Sequence, residues 1–210
     1  KPAGPSSHDM VSAVRRALRT RRVGHTGTLD PFASGLLLIC VGAATRLAEY
    51  LSGLDKQYHA TVVLGFATDT DDHTGVPLTT EETLPDASRV LRTDVERVLA
   101  GMTGDVLQRP PAYSAKKRDG ERAYAAARAG RPLALEPVPV HIDHIDIVHF
   151  EPPRVELDVA CGSGTYIRAI ARDLGQALGM GGHLAALRRT RVGRCVVDHA
   201  ITPAQLIHAD

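Results

Sequence analysis

The 210-residue sequence has no tryptophan, only three phenylalanines and five tyrosines. Stacking on flat ligands must fall to very few rings, so a tyrosine beside polar or basic neighbours is worth singling out. Cysteine is equally scarce. Cys40, Cys161 and Cys195 are odd in number, far apart and without C-x-x-C spacing, so they are expected to be buried thiols in a reducing compartment rather than parts of a disulfide framework. The longest apolar run, Leu36 to Val41, falls far short of the roughly 20 residues of a membrane span, and no charged-then-apolar leader opens the chain. A cytoplasmic location away from membranes is expected. An excess of one charge is lacking too: 25 Lys and Arg face 24 Asp and Glu, which excludes a histone-like, wholly basic RNA binder. With 43% hydrophobic and 23% charged residues the chain is not disordered. At this length roughly 70% of the unfolded chain's surface can be buried, enough for a core without staples.

The balanced charge is unevenly spread. Arg15, Arg16, Arg19, Arg21 and Arg22 crowd one segment, and Arg188, Arg189, Arg191 and Arg194 another, neither with an acid. The stretch from Arg109 to Arg131 is strongly basic beside Pro110-Pro111, Tyr113 and Tyr124. By contrast, 66–96 holds Asp69, Asp71, Asp72, Glu81, Glu82, Asp86, Asp94 and Glu96 against two arginines. A charge run is ordinarily a solvated face, but three basic segments in one neutral chain also suit phosphate contacts.

Local signals give a mixed order of elements. Ser6 or Ser7 can cap a helix with the apolar stripe Val11, Val14 and Leu18. Tyr58, Ala60, Val62 and Leu64 alternate as one face of a strand. Thr93 and Glu96 have capping-box spacing before Val95, Val98 and Leu99, with Gly101 as the stop. Strands are expected at His141–Phe150 and Val155–Ala160. A Gly162-Ser163-Gly164 turn then leads into a helix from about Tyr166 to Leu178, a strand covers Cys195–Val197, and a short helix starts at Thr202-Pro203. No repeat or linker divides the chain, so a single α+β domain over 1–210 is expected.

Asp30-Pro31 reads first as a helix start, with Asp as N-cap and Pro at N1. Yet Gly24, His25 and Gly27 just before it make a shaped loop that can present a carboxylate for chemistry. The run from Arg22 through Gly24-His25-Thr26-Gly27-Thr28-Leu29-Asp30-Pro31 to Leu37 resembles the catalytic signature of the TruB-type tRNA pseudouridine-55 synthases. Further blocks resemble that family in the same order: Lys1-Pro2 with Ser6-Ser7, Asp55-Lys56-Gln57-Tyr58, Gln108 to Lys116, Gly164-Thr165-Tyr166-Ile167-Arg168 and Leu187-Arg188-Arg189.

The resemblance implies a pseudouridine synthase fold, a central, mixed but largely antiparallel sheet with flanking helices and an active-site cleft. It implies an isomerase that breaks the C1′–N1 bond of a uridine in the tRNA T loop, turns the base and rejoins it through C5, with no cofactor and no metal. Asp30 would be the catalytic carboxylate, either attacking C1′ or C6 or supporting a glycal intermediate. Arg168 would hold it ionised, since a nearby opposite charge favours the carboxylate form. Tyr58 would stack on the target uracil and assist proton transfer, with Tyr166 and Leu187 lining the pocket. His25 would pack on the bases flanking the extruded uridine as a neutral imidazole. The segment from about 105 to 131 would be a mobile thumb closing over the T-stem loop, with Lys116 and Arg128 near RNA. The chain would act as a monomer, and the C-terminal RNA-binding module of PUA type common in the family would lie outside it.

Blander or rival readings stand beside these. Arg168 could be a helix-surface arginine, Tyr58 a core ring and His25 a turn residue. His141, His144 and His149 fit a strand surface better than a metal site, and Asp69 to Asp72 lack calcium-loop spacing. An RNA chaperone without chemistry is the rival function. A hydrolytic N-glycosidase would need a second acid beside Asp30, which the run from Arg22 to Leu37 lacks.

Overall fold

The computed structural model describes residues 1–78, 86–118 and 120–207; Glu81, Glu82 and Asp119 lie outside them. The chain forms two compact units, one of residues 1–59 with 187–210 and one of residues 60–186. The fold is mixed α+β around a mostly antiparallel sheet.

In the first unit, α1 (Ser7–Ala17) starts at Ser6. The Ser6 hydroxyl accepts the Asp9 N–H at 3.2 Å while the Asp9 carboxylate accepts the Ser6 N–H at 2.7 Å, a reciprocal cap that satisfies two otherwise orphaned donors. Val11 and Val14 face inward against Val23, Ile39, Val41 and Leu206. The hairpin partners β1 (Val23–His25) and β3 (Ile39–Val41) pair antiparallel, Gly24 opposite Cys40. Between them the two-residue β2 (Ser34–Gly35) pairs in parallel with Arg188 and Arg189 of β10 (Gly182–Val192). Gly35 is required there: its φ is +107° and a Cβ would lie 2.2 Å from the Arg189 carbonyl oxygen. The 3-10 turn Gly42–Leu47 and α2 (Ala48–Ser52) precede β4 (Lys56–Leu64). β11 (Cys195–Val196) pairs with the end of β10, and α6 (Pro203–Ile207) follows Thr202.

β4 runs on into the second unit, where the strand order is β4, β9 (Arg154–Cys161), β8 (Val138–Glu151) and β5 (Gly104–Gln108). The alternation read at Tyr58 to Leu64 is realised, with every second residue of β4 buried. Val62, Val155, Leu157 and Val159 are fully buried, each burial contributing about 1.5–3 kcal/mol. α3 (Arg92–Ala100) lies against β8 and α5 (Ile167–Ala177) through Val95 and Leu99. In α5 the apolar residues Ile167, Ile170, Ala171 and Leu174 recur at helical spacing and are buried, a full inward stripe. Gly175 completes that face, since a Cβ there would sit 2.1 Å from the Gly181 backbone. The paired strands β6 (Lys117–Arg118) and β7 (Glu121–Arg122) lead into α4 (Ala123–Arg128), so the later part of the basic segment carries regular elements while 109–116 carries none.

Three local expectations are corrected. Asp30-Pro31 starts no helix: the Ala33 N–H donates to the Asp30 carbonyl at 3.1 Å, closing a turn that feeds β2, so tertiary pairing with β10 overrides the capping signal. Thr93 and Glu96 form no capping box; the helix begins after Leu91 and Glu96 accepts from Arg92 Nε at 2.7 Å instead. Cys40 and Cys161 are buried, but Cys195 is exposed at the start of the edge strand β11. His141, His144 and His149 do lie on β8 at the surface beside Asp105, Asp143 and Glu151.

Candidate active site

Asp30, His25, Tyr58 and Leu187 belong to the first unit, and Arg168, Tyr166, Lys116 and Arg128 to the second. The Asp30 turn is held through its backbone. Lys1 Nζ donates to the Pro31 carbonyl at 3.0 Å and the Ala33 carbonyl at 2.6 Å, and burial lowers the Lys1 ammonium pKa against the pull of Asp30 and Asp9. Ser7, only 2% exposed, brackets Leu29: its hydroxyl accepts the Leu29 N–H at 2.9 Å and donates to the Leu29 carbonyl at 3.1 Å. Arg189 spans the loop ends, Nε donating to the Leu36 carbonyl at 2.8 Å and Nη2 to the Gly27 carbonyl at 3.1 Å. Asp30 is half-buried on this turn, whose backbone is held on both sides.

His25 is half-buried on β1, and its Nδ1 accepts the Gly27 N–H at 3.3 Å. Burial first, then the Arg189 guanidinium and His8, push its pKa below the usual imidazole value, which favours the neutral ring. Tyr58 and Leu187 are both buried, each 8% exposed, Tyr58 on the inward face of β4.

In the second unit Arg168 is no surface arginine. It occupies the first turn of α5, 5% exposed. Its Nη1 donates to the Thr70 carbonyl and Nη2 to the Tyr113 carbonyl, both at 2.9 Å, and Nη1 stands 3.6 Å from the Asp72 carboxylate. Asp72 is oriented by Thr70 and by the Thr74 backbone and hydroxyl. One turn on, Arg172 pairs with Asp71 at 3.0 Å; burial still outweighs Arg172 and raises the Asp71 pKa. The acidic loop therefore supplies buried counter-charges, as buried cations demand.

Tyr166 is the half-buried N-cap of α5, bonded through its backbone to Gln108. Arg128 lies over the Tyr124 ring at 5.5 Å, and Tyr124 meets Tyr113 edge-on with centroids 6.1 Å apart, a cation–π and aromatic cluster. Lys116 is exposed. Of the basic C-terminal run, Arg188, Arg191 and Arg194 face solvent while Arg189 is turned inward to the Asp30 loop.

Sequence reasoning missed the roles of Lys1, Ser7, Arg189, Gln108 and Asp72. Lys1, Ser7, Gln108 and Arg189 all stood in the matched blocks, yet their hydrogen bonds go to backbone atoms, which leave no side-chain pattern to read. Asp72 carried one usable signal, an acid-rich loop without local bases, which has to find its cations elsewhere in the fold. Among the described residues no three His, Cys, Asp or Glu side chains are grouped to hold a metal ion, and no helix is long and apolar enough to cross a membrane.

Residues 15–167 match the N-terminal domain of the TruB family of pseudouridylate synthases, and residues 168–209 match the tRNA pseudouridylate synthase B C-terminal domain. The boundary between the two matches falls in the first turn of α5, inside one structural unit. Curated relatives include tRNA pseudouridine synthase B of Arthrobacter sp. (strain FB24), 46% identical over 212 residues, covering 98% of this chain and 68% of that protein. That of Corynebacterium aurimucosum is 48% identical over 204 residues, covering 95% and 67%. Among solved structures, the archaeal box H/ACA sRNP Nop10–Cbf5 complex matches with a TM-score of 0.71 and 27% identity, over 99% of this chain and 51% of that one. The present chain thus spans about half the length of that archaeal protein.

Proposed function

Because the chain belongs to the TruB family of pseudouridylate synthases, we propose that it converts uridine 55 in the T loop of tRNA to pseudouridine with Asp30 as the catalytic carboxylate. The observation that carries this reading is the Asp30 turn, bound by Lys1, Ser7 and Arg189 at backbone atoms so that the carboxylate is presented from a fixed loop. The net reaction breaks C1′–N1, forms C1′–C5 and moves a proton from C5 to N1, so atoms balance without oxidant or co-substrate. Asp30 acts either as a nucleophile on the uridine or as the base that supports a glycal. In both routes it must be ionised, and the Arg168 guanidinium supplies the favourable field.

Tyr58 stacks on the uracil and relays a proton, and Tyr166 and Leu187 complete the pocket. His25, held neutral, packs on the bases beside the extruded nucleotide. Lys116, Arg128 and the exposed arginines of 15–22 and 188–194 take phosphates, which makes affinity fall with salt. The segment of about 105–131 acts as the thumb on the T-stem loop. The protein works as a cytoplasmic monomer. A chaperone without chemistry is not favoured, because the family match extends through the whole Asp30 run.

The test is release of tritium from tRNA carrying 5-tritiated uridine, with pseudouridine mapped in the product. Wild-type protein releases label at position 55, and Asp30→Asn loses about 10³-fold or more in rate. Full activity of Asp30→Asn, or free uracil as product, would sink the proposal.

A further inference from the structure

Gln108 closes β5 immediately before the basic segment 109–131 and is 4% exposed. Its Oε1 accepts the Tyr166 N–H at 2.8 Å and its Nε2 donates to the Tyr166 carbonyl at 3.1 Å. A primary amide that pairs with both backbone groups of one residue imitates a neighbouring strand and leaves that residue little freedom. Tyr166 is the N-cap of α5 and makes no side-chain cap bond of its own, so Gln108 fixes the entry of the helix that carries Arg168.

Two further bonds follow the same seam. Arg168 Nη2 donates to the Tyr113 carbonyl at 2.9 Å, and Arg172 Nη2 donates to the Arg109 carbonyl at 2.8 Å. Three points at the root of the basic segment are thereby tied to α5 and its cap: 108 to 166, 109 to 172 and 113 to 168. Beyond that root, the same segment carries the Tyr113, Tyr124 and Arg128 cluster. In two of the three ties the basic segment contributes only a carbonyl. The third tie comes from the Gln108 side chain at the end of β5, which mutation can remove.

We infer that Gln108 is a positioning residue for the isomerisation: through Tyr166 it sets the first turn of α5 and with it the placement of Arg168. The inference rests on the proposed synthase activity. A buried glutamine that served stability alone would lower the melting temperature and leave the turnover of folded protein unchanged. A positioning residue lowers the chemical rate constant while RNA affinity stays.

The experiment uses the full chain with Gln108→Leu, which removes both bonds, and Gln108→Glu, which keeps the acceptor for the Tyr166 N–H and loses the donor. For each, tRNA dissociation constants, single-turnover tritium release at saturating enzyme, and hydrogen exchange of amides 166–172 without RNA are compared with wild type. Gln108→Leu is expected to lose about 10- to 100-fold in the rate constant with its dissociation constant within about threefold, and to exchange faster at Tyr166, Gln108→Glu falling between. A rate loss below about threefold in a folded variant, or an equal loss of affinity, overturns the inference; should the leucine variant not fold, the glutamate variant decides by the same criteria. Wild-type protein that releases no tritium would refute the proposed function, and the exchange measurement would still decide whether Gln108 sets Tyr166.

Discussion

The Asp30 turn and the Arg168 network each hold one charged side chain, and they do it by different means. Around Asp30 the clamps address backbone atoms: Lys1 the carbonyls of Pro31 and Ala33, Ser7 both groups of Leu29, Arg189 the carbonyls of Gly27 and Leu36. Around Arg168 the partners address the guanidinium itself, with the carbonyls of Thr70 and Tyr113 and the Asp72 carboxylate beside it. The first arrangement fixes the shape of a loop whose side chain must meet a substrate. The second stabilises a charge that has lost its water, and such a charge must be met by acceptors.

If the two regions differ in this way, damage to the second should cost more. Asp72→Ala removes a carboxylate from a pair in which both side chains are 6% exposed, and it should lower stability in urea unfolding by about 3 kcal/mol, with Asp72→Asn milder because the threonine bonds can persist. Ser7→Ala strands the buried Leu29 N–H and should cost about 1–3 kcal/mol in the same measurement, together with a fall in turnover from a displaced Asp30. Equal losses for Asp72→Ala and Ser7→Ala would erase the distinction between charge and loop.

The smallest effect concerns pH. Each structural unit contains a histidine whose pKa burial lowers: His25, where Arg189 adds to the shift, and His183, whose ring lies tilted against Phe66 with centroids 4.4 Å apart and whose shift the Phe66 carbonyl opposes. With the folded value below the unfolded one, near 6.5, the unfolded chain takes up the proton first as pH falls. Stability is therefore complete above about pH 6.5 and declines below it. His183→Gln should flatten that decline in melting temperature between pH 7 and 5 without abolishing it, because His25 remains. An unchanged slope would place the acid sensitivity in the first region alone.

Much of the frame was legible in the chain. The alternation of Tyr58 to Leu64, the two strands that became β8 and β9, the capped α1 and the helix after Tyr166 each arise from local periodicity or from turn and cap chemistry, which act within a few residues. The helix start at Asp30-Pro31 was misleading because β2 pairs with Arg188 and Arg189, more than 150 residues away in sequence. The Asp30 run was readable as a signature because it is contiguous, whereas the supports of Arg168 come from Thr70, Asp72 and Tyr113.

From composition and order alone came the α+β class, the segregated charge and the family-like run around Asp30. The fate of individual charges emerged only in the folded molecule: Arg189 left the solvated basic run to brace a loop, Asp72 left the acidic loop to face Arg168, and Gln108 became the tie between two segments. The physical reason is range. Helix caps and alternating strands are decided by near neighbours, but desolvation and the pairing it enforces depend on which distant residues share the same buried space.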